Sequence, residues 1–441
     1  MNKLIVFAFA AVAAVSAFAE ATVSDVVVRQ RWPWSRKVDI NYVLTTDKPV
    51  DITVAATSAG EALTLAPTSL AGDLSSVETG VHRITWDPTG TEYEQRGLLP
   101  DFKVTLTAGI EKRYMIINLK AELGDGEERI TYSDCVIDPI PGSNAKATWD
   151  CWPDKYKTDY LVLRRIPKGT FKMGSPANER NRVAATATSD NEKQHTVTLT
   201  KDYYIGIFEV TQAQFNNVVG SYPSSFFTAE RDARPVENVA WTTWRGLSAD
   251  NWPDADGKYS HDLGTSGFFV KLRALTDNAF GFDMPTEAQW EKAARAGTET
   301  PLYTGENLDC AWNATQYDPV DLLARYGGDV TVTAPTAATA PAEGGTAVVG
   351  SYQPNAYGLF DVIGNVFEFC LDGFEDWLNV PESVTDPKGV STTKANKLRK
   401  GGAYISSCGN NPNRTATPAR STAGYNVSEK YNGTRVCLTL E

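Results

Sequence analysis

The stretch Asn355-Ala-Tyr-Gly-Leu-Phe-Asp-Val-Ile-Gly-Asn-Val-Phe-Glu-Phe-Cys370 constrains this chain more than any other, because its residue types suit a backbone wrapped around a hard cation. Gly358 and Gly364 permit tight or left-handed turns in which carbonyls point inward. Asp361 and Glu368 bring carboxylate oxygens, and the carbonyls of Gly364 and Val366 would complete a mixed shell of the kind calcium accepts. Leu359, Phe360, Val362, Ile363, Phe367 and Phe369, interleaved among them, would bury the stretch and hold those oxygens in place. The same spacing serves equally for a buried turn with two surface carboxylates, since it matches no established loop signature.

Around this stretch lie 441 residues, which exceeds the usual single domain and predicts two or three. The net charge of −12, with no run of Lys or Arg anywhere, argues against nucleic acid or an anionic membrane surface as the main partner. Residues 1–19 read as a secretory signal: Lys3 supplies the positive start, Leu4 to Val15 the apolar core, and Ala17-Phe-Ala19 the cleavage signature before Glu20. That apolar core is too short for a membrane span. The expectation is an exported bacterial protein, secreted or periplasmic, in which Cys135, Cys151, Cys310, Cys370, Cys408 and Cys437 allow three disulfides in any of fifteen pairings.

Residues 20–111 alternate apolar and polar positions in the runs 23–28, 38–44, 50–56, 62–65, 81–86 and 102–107, punctuated by Gly, Pro, Asp and Ser. This predicts an all-β, immunoglobulin-like sandwich serving as an accessory module. Within it, Arg29-Gln-Arg-Trp-Pro-Trp34 suits either ligand contact or packing at the sandwich rim. Residues 112–158 are expected to connect the domains, with strands over 114–120 and 129–137 and a turn at Pro139, Pro141 and Gly142. Cys135 and Cys151 flank that turn and could bridge. From residue 159 the chain is rich in loops, with helices predicted over 209–219 and 285–296 and an exposed loop over 331–349. His82, His195 and His261 form no helical ligand pair, so they offer no metal site. Gly-x-Ser-x-Gly, His-Glu-x-x-His and phosphate-loop signatures are absent.

Nine stretches in order carry a resemblance. They are Phe171-Lys-Met-Gly-Ser175, Phe208-Glu-Val-Thr-Gln212, Arg234-Pro-Val-Glu-Asn-Val-Ala-Trp241, Met284-Pro-Thr-Glu-Ala-Gln-Trp-Glu291, Ala294-Arg-Ala-Gly-Thr298, Pro354-Asn-Ala-Tyr-Gly-Leu-Phe-Asp361, Gly364-Asn-Val-Phe-Glu-Phe369, Lys400-Gly-Gly-Ala-Tyr404 and Gly433-Thr-Arg-Val436. Together they resemble the formylglycine-generating enzyme (sulfatase-modifying factor) family, a branch of the C-type-lectin-like fold. The resemblance implies an α+β, loop-rich domain over 159–441 and a structural calcium on Asp361, Gly364, Val366 and Glu368. It also implies a second calcium beginning at Asn313 and the Ala314 carbonyl.

Enzymes of that family oxidise a sulfatase cysteine to formylglycine using two copper-binding cysteines shortly after a Gly-Gly-Ser. Soft thiolates are needed to select monovalent copper. Here the serine position holds Ala403, the first cysteine falls on Ser406, and the second falls near Asn411 or Asn413. Cys408 alone lies in the region, so copper is not expected, and a disulfide from Cys408 to Cys370 or Cys437 is. Two functions follow. The first is a calcium-stabilised, non-catalytic module binding a peptide, protein or glycan, with Trp241, Tyr404, Asn410, Asn411, Asn413, Arg414 and Tyr425 as contact candidates. The alternative is an oxidase working through a displaced Cys408.

Overall fold

Alternating burial builds the N-terminal unit. In β2 (Val38–Thr45) residues Val38, Ile40, Tyr42 and Leu44 point inward, and in β6 (Gly80–Trp86) Ile84 and Trp86 do. With β1 (Thr22–Gln30) and β5 (Leu70–Gly72) they form an antiparallel sheet in the order β1-β2-β6-β5. A second sheet runs β4-β3-β7, from β3 (Val50–Ser58), β4 (Glu61–Leu63) and β7 (Lys103–Ile110). Both sheets feed one core, in which the Trp86 indole stacks on Phe102 with ring centroids 5.8 Å apart. This is the expected sandwich. Trp34 does not pack at its rim: it stands 89% exposed.

This computed structural model describes residues 21–440 apart from 47–49, 64, 66–68, 75–76, 90, 96, 111–112, 134–152, 183–184, 227–229, 247–262, 310–317, 327–344, 375, 390–395 and 407–418. The chain divides after Lys112 into two compact units. Among the described residues no helix is long and apolar enough to cross a membrane.

The C-terminal unit opens inside the segment expected to connect the domains. There β8 (Tyr114–Asn118) and β9 (Ile130–Ser133) pair with each other, and β8 pairs with β10 (Tyr160–Ile166). With β13 (Tyr203–Gly206) and β19 (Cys437–Thr439) they complete a five-stranded antiparallel sheet that ties the two ends of the unit together. Two smaller sheets follow. One is β11 (Gly169–Met173), β12 (His195–Leu199) and β15 (Ser383–Thr385). The other is β17-β16-β14-β18, from β14 (Phe367–Gly373), β16 (Asn396–Lys400), β17 (Ser421–Gly424) and β18 (Asn432–Gly433).

Helices are short: α1 (Lys155–Thr158), α2 (Gln212–Val219), α3 (Trp241–Arg245), α4 (Phe268–Leu275), α5 (Glu287–Arg295) and α6 (Asp318–Asp321). Both α2 and α5 start at a capping box, Thr211 with Gln214 and Thr286 with Gln289, which satisfies backbone donors that a helix start leaves open. In α5 all nine residues are buried, including Glu287, Glu291 and Arg295. Burial pushes the Glu291 carboxyl up, but Lys400 and Arg295 more than offset that and hold it at about 2.

Candidate functional site

Residues 361–368 arrive at the start of β14 through backbone that few residues tolerate. Asp361 and Asn365 have φ of 55° and 56°, and Gly364 has φ of 81°. A Cβ on Gly364 would sit 2.4 Å from the Arg325 carbonyl oxygen, so glycine is required there on two counts. These turns bring three fully buried carboxylates together: Glu209, Asp361 and Glu368. Arg435, just before β19, donates Nη2 to Glu368 Oε1 and Nε to Oε2, both at 2.5 Å. Trp290 Nε1 adds a third bond to Oε2 at 2.7 Å. Glu209 accepts from the Val366 N–H at 3.1 Å and from Asn365 Nδ2 at 2.7 Å. Asp361 Oδ2 accepts from the Gly350 N–H at 2.7 Å, while its Oδ1 is buried without a donor.

Three carboxylates face the Arg435 guanidinium, with the Lys157 ammonium adding a weaker attraction at Asp361, so negative charge is in excess if all are ionised. Burial raises Asp361 to about 6 against the opposing Gly350 N–H, Arg435 and Lys157, and burial reinforced by Asp361 and Glu368 raises Glu209 well above its ordinary value. Buried charge without a partner is costly and is relieved by protons or by a cation. Among the described residues no three His, Cys, Asp or Glu side chains are placed to hold a metal, so a cation here would draw on backbone carbonyls beside two carboxylates. Asp361 Oδ1 has no donor, and Glu368 Oε1 has one, so each keeps lone pairs for a metal.

Stitched to this cluster is the Gly401-Gly402 turn. The Gly364 N–H donates to the Gly401 carbonyl, and the Tyr404 N–H donates to the Asn365 carbonyl, both at 2.8 Å. Tyr404 is 4% exposed and meets the Phe226 ring edge to face at 5.4 Å. Beside it, Glu237 Oε1 accepts from the N–H groups of Ser225 and Phe226. Glu237 Oε2, the Tyr404 hydroxyl and Thr346 Oγ1 are all buried with no hydrogen-bond partner. Burial raises Glu237 to about 7, and burial, then Glu237, raises the Tyr404 phenol. Ser406, where the resemblance places a cysteine, is 2% exposed, and its Oγ accepts the Ala403 N–H at 3.0 Å.

Other expected contacts fall elsewhere. Trp241 is fully buried, donating Nε1–H to the Cys370 carbonyl at 2.9 Å with Lys397 over its ring, so it belongs to the core and not to a surface a ligand meets. Tyr425 is half-buried, and its carbonyl accepts the N–H of Thr242 in α3. Asn313, Ala314, Cys408, Asn410, Asn411, Asn413 and Arg414 lie outside the described residues, as do Cys135, Cys151, Cys310 and His261. Cys370 and Cys437 stand as free thiols, and Cys408, the partner expected for one of them, lies outside the described residues. Cys370 is fully buried, and Cys437 points its thiol at Gln289 Oε1, 3.7 Å away. Burial pushes both thiols up, so neither is a ready thiolate. Glu209, Asn365 and Arg435 went unassigned in the sequence. The available signal was a charged residue set between apolar neighbours in Phe208-Glu-Val210, and a weaker one, with an apolar side chain on one side only, in Gly364-Asn-Val366 and Thr434-Arg-Val436.

Comparison with known proteins places this geometry. Residues 153–440 match the model of the sulfatase-modifying factor enzyme 1-like domain. The chain is 29% identical to the chaperone protein LppX of Paenibacillus barcinonensis, an alignment covering 47% of this chain and 70% of that one. It is 26% identical to the formylglycine-generating enzyme of Mus musculus, covering 54% and 65%, and 29% identical to that of Streptomyces coelicolor, covering 55% and 78%. Among solved structures, Treponema denticola variable protein 1 aligns with a TM-score of 0.45 at 22% identity, covering 64% of this chain and 96% of that one. The chain belongs, over residues 153–440, to the sulfatase-modifying factor (formylglycine-generating enzyme) family.

Proposed function

We propose that this protein is an exported, calcium-stabilised binding module in which the family's fold is kept and its copper chemistry is not. The observation that carries the reading is Ser406. The position needing a soft thiolate holds a hydroxyl oxygen, already engaged with the Ala403 N–H, and a hard donor does not select monovalent copper. Around the same turn, the unpartnered Tyr404 hydroxyl and Glu237 Oε2 lie buried just beneath the surface, and a peptide, protein or glycan that reaches them through the turn would satisfy them. The likeness to a protein named as a chaperone agrees with a binding role. Calcium would be held by Asp361, the Gly364 and Val366 carbonyls and Glu368, and would supply the positive charge that Arg435 alone does not.

The test is a copper(I)-supplied assay on a Cys-x-Pro-x-Arg peptide, run beside peptide and glycan arrays. No aldehyde is expected from the wild type or from Cys408→Ser. Array binding should survive Cys408→Ser and fall at least tenfold in Tyr404→Ala. Aldehyde formation that Cys408→Ser abolishes would establish the displaced-cysteine oxidase instead.

A further inference from the structure

A cavity of about 600 Å³ opens beside the start of α5, lined by residues that share nothing with the Gly-Gly turn. Its volume is in the range of small-molecule sites. One wall is apolar, formed by Met173, Ala288, Val380 and Val384. Against it stand two polar side chains that the fold does not use up. His195 is 4% exposed, and its Nδ1 lies 2.9 Å from the Lys193 carbonyl oxygen. A carbonyl only accepts, so Nδ1 carries a proton, and in the neutral form of the ring Nε2 is the lone pair that faces the cavity. The second is Asp372, 2% exposed, whose Oδ2 accepts the Glu287 N–H at 2.7 Å.

The other acids of the lining are already engaged. Glu287 is bound by Arg420 through Nε and Nη2 at 2.6 and 2.9 Å. Asp376 accepts from Ser189 and from the Asp190 and Leu378 N–H groups, and Asp386 accepts from Thr200. The Trp377 ring is covered by the Arg420 guanidinium at 3.7 Å and meets the His195 ring edge at 4.7 Å, so it offers no open face for stacking a sugar. The lining also carries Lys388, itself engaged, and beside it the cavity presents an apolar body site, one lone pair and one carboxyl with capacity to accept.

From this juxtaposition we infer that the cavity binds a small organic ammonium, its N–H groups directed to His195 Nε2 and Asp372 and its hydrocarbon part laid against Met173, Ala288, Val380 and Val384. Supporting this, burial and then the nearby Glu287 raise Asp372 to about 7, with Lys397 on the neighbouring strand only partly opposing them. The charged and titratable groups around it are Glu287 with its partner Arg420, Lys397, Lys388, which is itself engaged, His195, Cys370, Asp376 and Asp386. A cationic ligand would bind the ionised carboxylate and release its proton.

The experiment is calorimetric titration of the full chain with hexylamine and, in parallel, with 1-hexanol. Hexylamine should bind saturably at one site, at least tenfold tighter than hexanol. Its affinity should rise roughly tenfold between pH 6 and pH 8, following the ionised fraction of Asp372. Asp372→Asn keeps the acceptor for the Glu287 N–H but removes the charge, so it should weaken hexylamine at least tenfold and flatten the pH profile. His195→Phe keeps a ring against Trp377 and should weaken binding several-fold. Val384→Trp fills the half-buried wall and should abolish binding in a protein with an unchanged circular dichroism spectrum. Should Asp372→Asn fail to fold, the other two variants and the wild-type pH profile decide. Hexanol binding as tightly as hexylamine, or undiminished affinity in Val384→Trp, would overturn the inference.

Discussion

Arg435 has no freedom to be anything else, because its side chain is fully buried and all three guanidinium nitrogens are spent on Glu368 and on the carbonyls of Gly206, Ile207 and Phe360. Arg435→Met would leave Glu368 buried and unpaired, a loss of about 3–5 kcal/mol in urea unfolding. With calcium chelated, so that no proposed ligand is lost, adding Glu368→Leu should recover much of that, since two apolar side chains cost less than one stranded charge. Glu237 makes a different statement at the same scale. Its folded value is raised to about 7, against about 4.3 in an unfolded chain. Between those values the native state holds a proton that the unfolded state has released. The stability it contributes is therefore complete below about pH 4 and lost as pH rises through 7. Glu237→Gln should remove on the order of 1–3 kcal/mol of that pH dependence, read as the difference between the two proteins' unfolding free energies at pH 5 and pH 8.

At the scale of elements, two helices begin alike and should fail unequally. Thr211 and Thr286 each cap a helix, so replacing either by Ala should cost about 1 kcal/mol. Thr211 also donates its hydroxyl to the Lys157 carbonyl at 2.6 Å, tying α2 to α1. Chemical denaturation should therefore rank Thr211→Ala as the worse by about 1 kcal/mol, and equal losses would mean that this second bond contributes nothing. Elements with a strong local rule were legible in the sequence. The alternation of β2, β3 and β6 fell within two residues of its expected limits, and α5 fell inside the predicted 285–296. Helix α4 was not foreseen: Phe268-Phe-Val-Lys-Leu-Arg-Ala-Leu275 is short, and Phe268, Phe269 and Leu272 bury against Phe215 and Trp244, a tertiary reason that local spacing does not announce. Trp241 was misplaced for a related cause, since a core indole and a ligand-binding indole look identical until burial is known. Asp361 and Glu368 were legible by chemistry and do converge, but Glu209 and Arg435, 226 residues apart (435 − 209), meet them only through the five-stranded sheet.

Across the whole molecule, each unit has its own apolar core, so the chain should unfold in calorimetry as two transitions and not one. Calcium, where we propose it, touches only the C-terminal unit. Ligand bound only to the native state stabilises it by about 2.7 kcal/mol at a hundredfold excess over its dissociation constant. Thorough chelation at pH 7.5 should therefore lower one transition by several degrees and leave the other in place. The backbone bonds from Gly364 to Gly401 and from Asn365 to Tyr404 extend the consequence, because they hang the Gly-Gly turn on the same cluster that the cation would neutralise. Chelation should then weaken ligand binding at Tyr404 in step with the lowered transition, and Asp361→Asn, which keeps an acceptor for the Gly350 N–H, should reproduce both effects without chelator. If both transitions moved together, or neither did, the cation would not be acting at Asp361 and Glu368.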